Sequence, residues 1–184
     1  MQGTLIPVVG PSGAGKDTMI DAARIARPDI YYPTRVITRP ENAGGEVFRG
    51  VETAQFRDLV NQRYFAFHWS AHGLFYGIPY DIIVRLNAGQ DVMFNGSRGI
   101  IKEARLRFKN IRVMVVTAPQ DVLAKRLAAR GREDVQDIAN RLKRAAYTAP
   151  EGADVTVIQN DGSLKESLDG FLAALPQEHS AHSV

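Results

Sequence analysis

Nine consecutive residues near the start of the chain have the composition of a loop that binds phosphate groups. They are Gly10, Pro11, Ser12, Gly13, Ala14, Gly15, Lys16, Asp17 and Thr18. Glycines let successive backbone N–H groups converge on one anion, and a lysine at this spacing brings a positive charge to the outer phosphates of a nucleoside triphosphate. The segment therefore predicts ATP binding, with Lys16 both as a nucleotide ligand and as a catalytic cation.

The residue after this lysine departs from the usual pattern. A Ser or Thr hydroxyl for Mg²⁺ is expected there, whereas this chain has Asp17 followed by Thr18. A carboxylate next to phosphates is repelled unless a cation lies between them. Asp17 is thus a candidate Mg²⁺ ligand, either directly or through water. The alternative is an acid that only favours the dipole of the following helix.

Arginines and two hydroxyl residues supply candidates for the acceptor side of a phosphoryl transfer. The chain has 17 Arg and 6 Lys, and arginine is favoured where phosphate is recognised through paired hydrogen bonds. Arg39 and Arg35 fall on the same side of a predicted strand, and either could bind the phosphate of an acceptor. Tyr76 is a candidate hydroxyl donor to that phosphate. Ser97 and Arg98 follow a strand at the edge of the sheet where ligands collect in open α/β folds.

Each acceptor-side candidate also has a structural alternative. The arginines could be solvated at a strand end, Tyr76 could pack within a hairpin, and Ser97 and Arg98 could belong to a surface turn. A further group of arginines surrounds Gly131, and Arg130, Arg132 and Arg141 are predicted to stabilise transferred charge from a lid that closes on ATP. Two solvated amphipathic helices are the alternative there.

Strands and helices alternate along the chain, which predicts how these residues are positioned. Apolar strands are predicted at residues 4–9, 31–38, 91–95, 111–116 and 155–159, with helical segments between them. This order is typical of an α/β fold with a five-stranded parallel sheet flanked by helices on both faces. Pro7 removes a hydrogen-bond donor from a strand expected to be central, so a local bulge is predicted at that residue.

Composition limits the class of protein. The 184 residues are 45% hydrophobic and contain no cysteine, which excludes a disulfide framework and a cysteine-based metal site. No apolar run approaches the ~18 residues that would span a bilayer, and the net charge of +3 does not by itself indicate nucleic acid. We therefore expect a cytoplasmic protein with small-molecule partners and no membrane or nucleic-acid partner. The oligomeric state is left open, a homodimer included.

The order of these motifs resembles that of the guanylate kinases over residues 4 to 175. The similar segments are Gly10–Lys16, Thr38-Arg39, Tyr76-Gly77, the arginines from Arg126 to Arg141, and Asn160-Asp161. The resemblance implies a P-loop kinase fold in a single domain. Its core comprises residues 4–47, 78–130 and 148–175, with an acceptor-binding insertion at 48–77, a lid at 131–147 and a frayed tail at 176–184.

Several departures remove the groups with which guanylate kinases read guanine. Phe48 stands where that family carries a phosphate-binding tyrosine, the base-reading glutamate falls near Phe67 or His68, and Ile78 replaces a hydroxyl residue. Since a site that has lost its hydrogen-bonding groups no longer selects the base, a guanine acceptor is not expected.

A second family shares these departures. Lys16-Asp17, the run from Trp69 to Gly77, Asn95-Gly96-Ser97-Arg98 and Arg130-Gly131-Arg132-Glu133 resemble the ribose 1,5-bisphosphate phosphokinases of phosphonate breakdown. The resemblance implies Mg²⁺-dependent transfer from ATP to ribose 1,5-bisphosphate, giving ADP and 5-phosphoribosyl 1-diphosphate. A nucleoside monophosphate kinase and a catalytically silent binding module of the same fold are the alternatives.

Overall fold

The computed structural model of the chain describes residues 2–41, 47–129 and 147–177. Their helices and strands are, in chain order, β1 (Leu5–Val9), α1 (Lys16–Ala26), β2 (Arg35–Ile37), β3 (Phe48–Gly50), α2 (Thr53–Asn61), β4 (Phe65–Ala71), β5 (Leu74–Pro79), α3 (Asp81–Asn87), β6 (Val92–Asn95), α4 (Ile101–Arg107), β7 (Val113–Thr117), α5 (Gln120–Ala129), β8 (Val155–Gln159) and α6 (Leu164–Ala173). A 3-10 turn, Arg98–Ile100, precedes α4. None of the helices in these ranges combines the length and hydropathy needed to cross a bilayer.

The central sheet is parallel, as the alternation predicted, but it has four strands and not five. Its order is β6-β1-β7-β8. The strand predicted at 31–38 contributes only an isolated bridge between Tyr31 and Val92. Pro33 follows two residues later and has no N–H to extend that pairing. The chain therefore leaves the central sheet there and forms β2 in a second sheet.

Pro7 lies in β1 between two paired strands without shifting the register. Against β7, Leu5 lies opposite Ile111 and Val8 opposite Met114, which is the same offset on both sides of the proline. Pairing with β6 runs without interruption from Leu5 to Val8. The predicted bulge is therefore absent, and the ladder between β1 and β7 is only interrupted where the missing N–H would have bonded.

The second sheet has the order β3-β2-β5-β4. β4 and β5 form a hairpin whose two turn residues, His72 and Gly73, both have positive φ, at 52° and 73°. That conformation suits the twist of a two-residue hairpin turn. A Cβ on Gly77 would lie 2.3 Å from the Phe65 ring, so this glycine allows the aromatic ring to cover the neighbouring strand.

The central sheet separates two apolar cores. Alternate residues of β1 face opposite sides: Leu5 and Val9 pack with α4 and the second sheet, whereas Ile6 and Val8 pack with α1 and α6. Burial on both faces explains why the central strands are apolar along their whole length. The side chains that remain available for chemistry are those at the ends of the strands.

A third, smaller core joins α2 to the second sheet, and Phe56 is its centre. This side chain is 2% exposed, and its ring centroid lies 4.8 Å from that of Phe65 and 5.6 Å from that of Phe75. Phe56→Ala should lower the free energy of unfolding by about 3–5 kcal/mol because a large cavity replaces the ring. Urea denaturation followed by circular dichroism measures the change.

Ile25→Ala is the matched control, since Ile25 is an apolar helix residue that is 85% exposed. Its free energy of unfolding should change by less than about 0.5 kcal/mol. Equal losses in the two variants would contradict the assignment of Phe56 to a core.

Candidate active site

The carboxyl ends of the four parallel strands meet at one edge of the central sheet. Gly10 follows β1, Gly96 follows β6 and Asn160 follows β8. Backbone hydrogen bonds join these ends: the Gly96 N–H donates to Val8 O at 2.9 Å, and the Asn160 N–H donates to Thr117 O at 2.7 Å. This edge is where ligands bind in open α/β folds, and it carries most of the residues predicted to do chemistry.

Three glycines of the phosphate loop have backbone conformations that side chains disfavour. The φ angles of Gly10, Gly13 and Gly15 are 150°, 84° and 95°. A Cβ on Gly10 would lie 1.9 Å from the carbonyl oxygen of Val116, and one on Gly15 would lie 2.4 Å from Nδ2 of Asn160. The loop therefore needs glycine at these positions for conformation and for space. α1 begins directly behind it, at Lys16.

Lys16 folds back over the loop from the first turn of α1. Its ammonium donates to the carbonyl oxygens of Gly10 at 3.0 Å and Pro11 at 2.9 Å. These contacts hold the positive charge against the loop, where an anion bound by the loop N–H groups would meet it.

Asn160 supports the loop from the end of β8, a role that the sequence did not reveal. It is 3% exposed, and its Nδ2 donates to the carbonyl oxygen of Ala14 at 2.7 Å. Its Oδ1 is buried with no hydrogen-bond partner in the described part of the chain. The one sequence feature that could have indicated this role is the position of Asn160, a polar amide directly after the last apolar strand.

Asp17 is linked to the second sheet through Asn95. The Asn95 side-chain Nδ2 donates to Asp17 Oδ1 at 2.6 Å, and the Asn95 carbonyl oxygen accepts from Arg35 Nη1 at 3.0 Å. Arg35 is 8% exposed. Burial lowers the pKa of its guanidinium to about 10, while the negative charge of Asp17 opposes that shift. Arg35 therefore remains a cation at neutral pH, buried between the two sheets.

Aromatic rings stack against the two arginines of the second sheet that are predicted to bind the acceptor phosphate. The Arg35 guanidinium carbon lies 5.4 Å from the ring centroid of Tyr76, which stacks on Trp69 at 5.5 Å with an interplanar angle of 5°. The guanidinium carbon of Arg39 lies 4.4 Å from the ring centroid of Phe48. Such stacking fixes the orientation of a guanidinium.

Ser97 and Arg98 form the turn after β6. The Ser97 hydroxyl accepts from the Gly99 N–H at 3.2 Å and caps the 3-10 turn. Arg98 is exposed, and its guanidinium carbon lies 5.2 Å from the ring centroid of Tyr147. Burial raises the pKa of the Tyr147 hydroxyl to about 12.

Two of the three residues at or near the base-reading positions of guanylate kinases are core side chains, whereas the third, His68, is exposed. Phe67 is 1% exposed, and its ring centroid lies 6.1 Å from that of Phe94 and 5.9 Å from that of Phe108. Ile78 is fully buried. Neither residue can offer a hydrogen bond to a purine.

Three predicted catalytic residues, Arg130, Arg132 and Arg141, lie outside the described residues. Within residues 2–41, 47–129 and 147–177, no group of three or more His, Cys, Asp or Glu side chains is arranged to hold a metal ion.

Two known proteins of similar sequence and similar length have the same name. The chain is 44% identical over 180 residues to the ribose 1,5-bisphosphate phosphokinase of a Ruegeria strain, covering 97% of this chain and 95% of that protein. It is 43% identical over 188 residues to the ribose 1,5-bisphosphate phosphokinase of Pseudomonas fluorescens, covering 98% and 99%. The resemblance inferred from the motifs is thereby confirmed. No protein-family model matches the chain.

A longer relative contains the same unit as one part. A bifunctional ribose 1,5-bisphosphokinase–thymidine phosphorylase of Cupriavidus necator is 43% identical over 174 residues, which are 94% of this chain and 29% of that protein. Among solved structures, guanylate kinase from Anaplasma phagocytophilum has a TM-score of 0.67 at 18% identity and covers 94% of this chain and 84% of that chain. That likeness confirms the predicted α/β kinase fold.

Gly15→Ala tests the conformation of the phosphate loop. The added Cβ would contact Asn160 at a φ that L residues rarely adopt, so nucleotide affinity should fall by at least tenfold, which is about 1.4 kcal/mol. Titration with a fluorescent ATP analogue measures the dissociation constant.

Gly170→Ala is the control, because a Cβ at that position in α6 meets nothing within 4 Å. It should leave nucleotide affinity unchanged and raise helix stability by about 1 kcal/mol. Unchanged affinity in Gly15→Ala would show that the loop does not bind the nucleotide.

Proposed function

The chain belongs to the family of the ribose 1,5-bisphosphate phosphokinases, and we propose that it transfers the γ-phosphate of ATP to ribose 1,5-bisphosphate. The products are ADP and 5-phosphoribosyl 1-diphosphate, and the reaction serves phosphonate breakdown. The observation that carries the proposal is a phosphate loop next to a second sheet in which Phe67 and Ile78, at or near the positions where guanylate kinases read the base, are buried. The names of the full-length relatives support the identity of the acceptor.

The reaction needs positioning more than covalent help from the protein. An oxygen of the 1-phosphate attacks the γ-phosphorus, and the bond from that phosphorus to the oxygen bridging to the β-phosphate breaks, which leaves ADP. The second pKa of a phosphate ester is about 6, so the attacking oxygen is already ionised at neutral pH and no general base is required. Catalysis then rests on alignment and on stabilising charge at the transferred group.

The phosphate loop and Lys16 supply the donor side. The backbone N–H groups of the loop, which the conformations of Gly13 and Gly15 turn toward one anion, would bind the phosphates of ATP. The Lys16 ammonium would exchange its hydrogen bonds to Gly10 O and Pro11 O for hydrogen bonds to phosphate oxygens. The predicted lid arginines, Arg130, Arg132 and Arg141, would add charge stabilisation from the other side of ATP.

The second sheet supplies the acceptor side. Arg39, stacked on Phe48, would bind the 1-phosphate through its guanidinium. Arg35 would add a buried positive charge behind Tyr76 without leaving its bond to Asn95. Ser97 and Arg98 would face the remainder of the acceptor from the end of β6. In this arrangement Tyr76 packs between Arg35 and Trp69 and shapes the floor of the acceptor site.

Asp17 fits a role in holding Mg²⁺ against the phosphates. Its Oδ1 is oriented by Asn95, and the carboxylate lies in the first turn of α1, next to Lys16. When bound, Mg²⁺ would neutralise charge on the phosphate oxygens. The chain would contribute one carboxylate to the metal site, that of Asp17. The side-chain amide of Asn95, 78 residues further along, fixes its orientation.

A coupled assay of ADP release tests the proposed acceptor. The kcat/KM for ribose 1,5-bisphosphate should be at least 100-fold higher than that for GMP. The reason is that a site without hydrogen-bonding partners for guanine loses that factor or more in discrimination. Phosphorus NMR should show the diphosphate signals of 5-phosphoribosyl 1-diphosphate. Efficient turnover of GMP alone would favour a nucleoside monophosphate kinase, and failure to bind ATP would favour a silent binding module.

Asp17→Asn tests the metal role. The amide oxygen can still accept from Asn95, so the loop should keep its shape while its metal affinity falls. We expect the Mg²⁺ concentration for half-maximal rate to rise by about tenfold or more.

Asp21→Asn is the matched control, since Asp21 lies one turn further along α1 and is exposed. It should leave the Mg²⁺ dependence as it is in the wild type. An Asp17→Asn enzyme with the wild-type Mg²⁺ dependence would assign Asp17 to the helix dipole instead.

A further inference from the structure

A cationic cavity opens between α4 and the segment that leads to β8. It has a volume of about 440 Å³ and is lined by the three basic side chains of Arg98, Lys102 and Arg105, with Thr148 on the opposite wall. The cavity is outside the phosphate loop and outside the second sheet. Three cations around one cavity favour an anionic occupant.

One of the three basic side chains is already neutralised by an ion pair, and in the described part of the chain the other two are not. Arg105 is paired with Asp154 through two bonds, Nε to Oδ2 at 2.9 Å and Nη2 to Oδ1 at 2.8 Å, and its Nη2 also donates to Glu151 O at 2.7 Å. Within the described residues, neither Arg98 nor Lys102 forms an ion pair with an acidic side chain. The uncompensated charge is therefore concentrated at the end of the cavity where α4 begins.

That end of the cavity adjoins the candidate active site. Arg98 is the third residue after β6, on the same sheet edge as the phosphate loop, and Lys102 lies four residues further along, on the same side of the helix. β4 packs against the 3-10 turn that contains Arg98. Trp69, on which Tyr76 stacks, packs against the core cluster that contains Ile100 and Ile101. Arg98 therefore lies beside the nucleotide edge, and Lys102 extends the positive charge along α4 on the side that faces the segment before β8.

We propose that Arg98 and Lys102 form the subsite for the second phosphate of the acceptor, the 5-phosphate that takes no part in the transfer. This proposal rests on the proposed function. The proposed acceptor carries two phosphates, and the assignment above gives the arginines of the second sheet to the reacting one. A second dianion held near the site needs its own cations, because desolvating it without them is costly.

The side chains suit this task in complementary ways. The Tyr147 ring, 5.2 Å from the Arg98 guanidinium carbon, holds the planar group so that its edge can bond two phosphate oxygens. Lys102 adds a mobile point charge, and the Thr148 hydroxyl can donate to the same group. The subsite would select acceptors that carry a phosphate at each end and would reject nucleoside monophosphates, which present an uncharged base there.

Lys102→Gln tests the subsite, with Lys109→Gln as its matched control. Lys109 is also exposed and lies just after α4, outside the cavity. In Lys102→Gln, the preference in kcat/KM for ribose 1,5-bisphosphate over ribose 1-phosphate should fall about tenfold, the usual effect of losing one charge-assisted contact. In Lys109→Gln this ratio should match the wild type. A wild-type ratio in Lys102→Gln would overturn the proposal.

Calorimetric titration with ribose 5-phosphate separates this proposal from the proposed function. The ligand has the second phosphate and lacks the reacting one, so it reports on the subsite without turnover. Its dissociation constant should rise about tenfold in Lys102→Gln and in Arg98→Gln, and melting temperatures would verify that both variants fold. Equal binding by these variants and Lys109→Gln would refute the subsite even if the enzyme phosphorylates ribose 1,5-bisphosphate. If the wild type does not phosphorylate it, the proposed function fails, while weaker binding in both variants still supports the subsite.

Discussion

A buried cation joins the two sheets, and the rest of the site depends on it. Arg35 belongs to the second sheet, yet it donates to the backbone at the end of β6 and lies in the field of Asp17. A charge removed from water is stable only when it is bonded and compensated. The partners of one guanidinium therefore add a polar tie to the apolar core that already joins the two sheets.

The local parts of this design could be predicted from the sequence. The phosphate loop and the alternation of strands and helices follow from short patterns, and both are present. The hydrogen bond between Asp17 and Asn95 could not be predicted, because the two residues are 78 positions apart and no sequence motif contains both. The strand count was wrong for a similar reason. Pro33 marks a break, but only the tertiary structure decides which sheet the chain then joins.

Aromatic side chains take the places of polar ones on the acceptor side. The Phe48 ring stacks against the Arg39 guanidinium. The Phe67 ring packs against the rings of Phe94 and Phe108 in the core. The consequence is a sheet that keeps its shape and loses its hydrogen-bonding pattern for a base. Under the proposed function, the charged side chains at the edge of this sheet, and not hydrogen bonds to a base, would select the acceptor.

The contact between Asn160 and the phosphate loop has a consequence for biosynthesis. The Asn160 amide donates to the Ala14 carbonyl oxygen across 146 residues of chain, so the phosphate loop is supported by a strand that is synthesised long after it. Contacts of such separation form late, after the entropy of closing the intervening chain has been overcome. A nascent chain that lacks β8 exposes an unsupported loop, so ATP can stabilise this fold only after β8 has been synthesised.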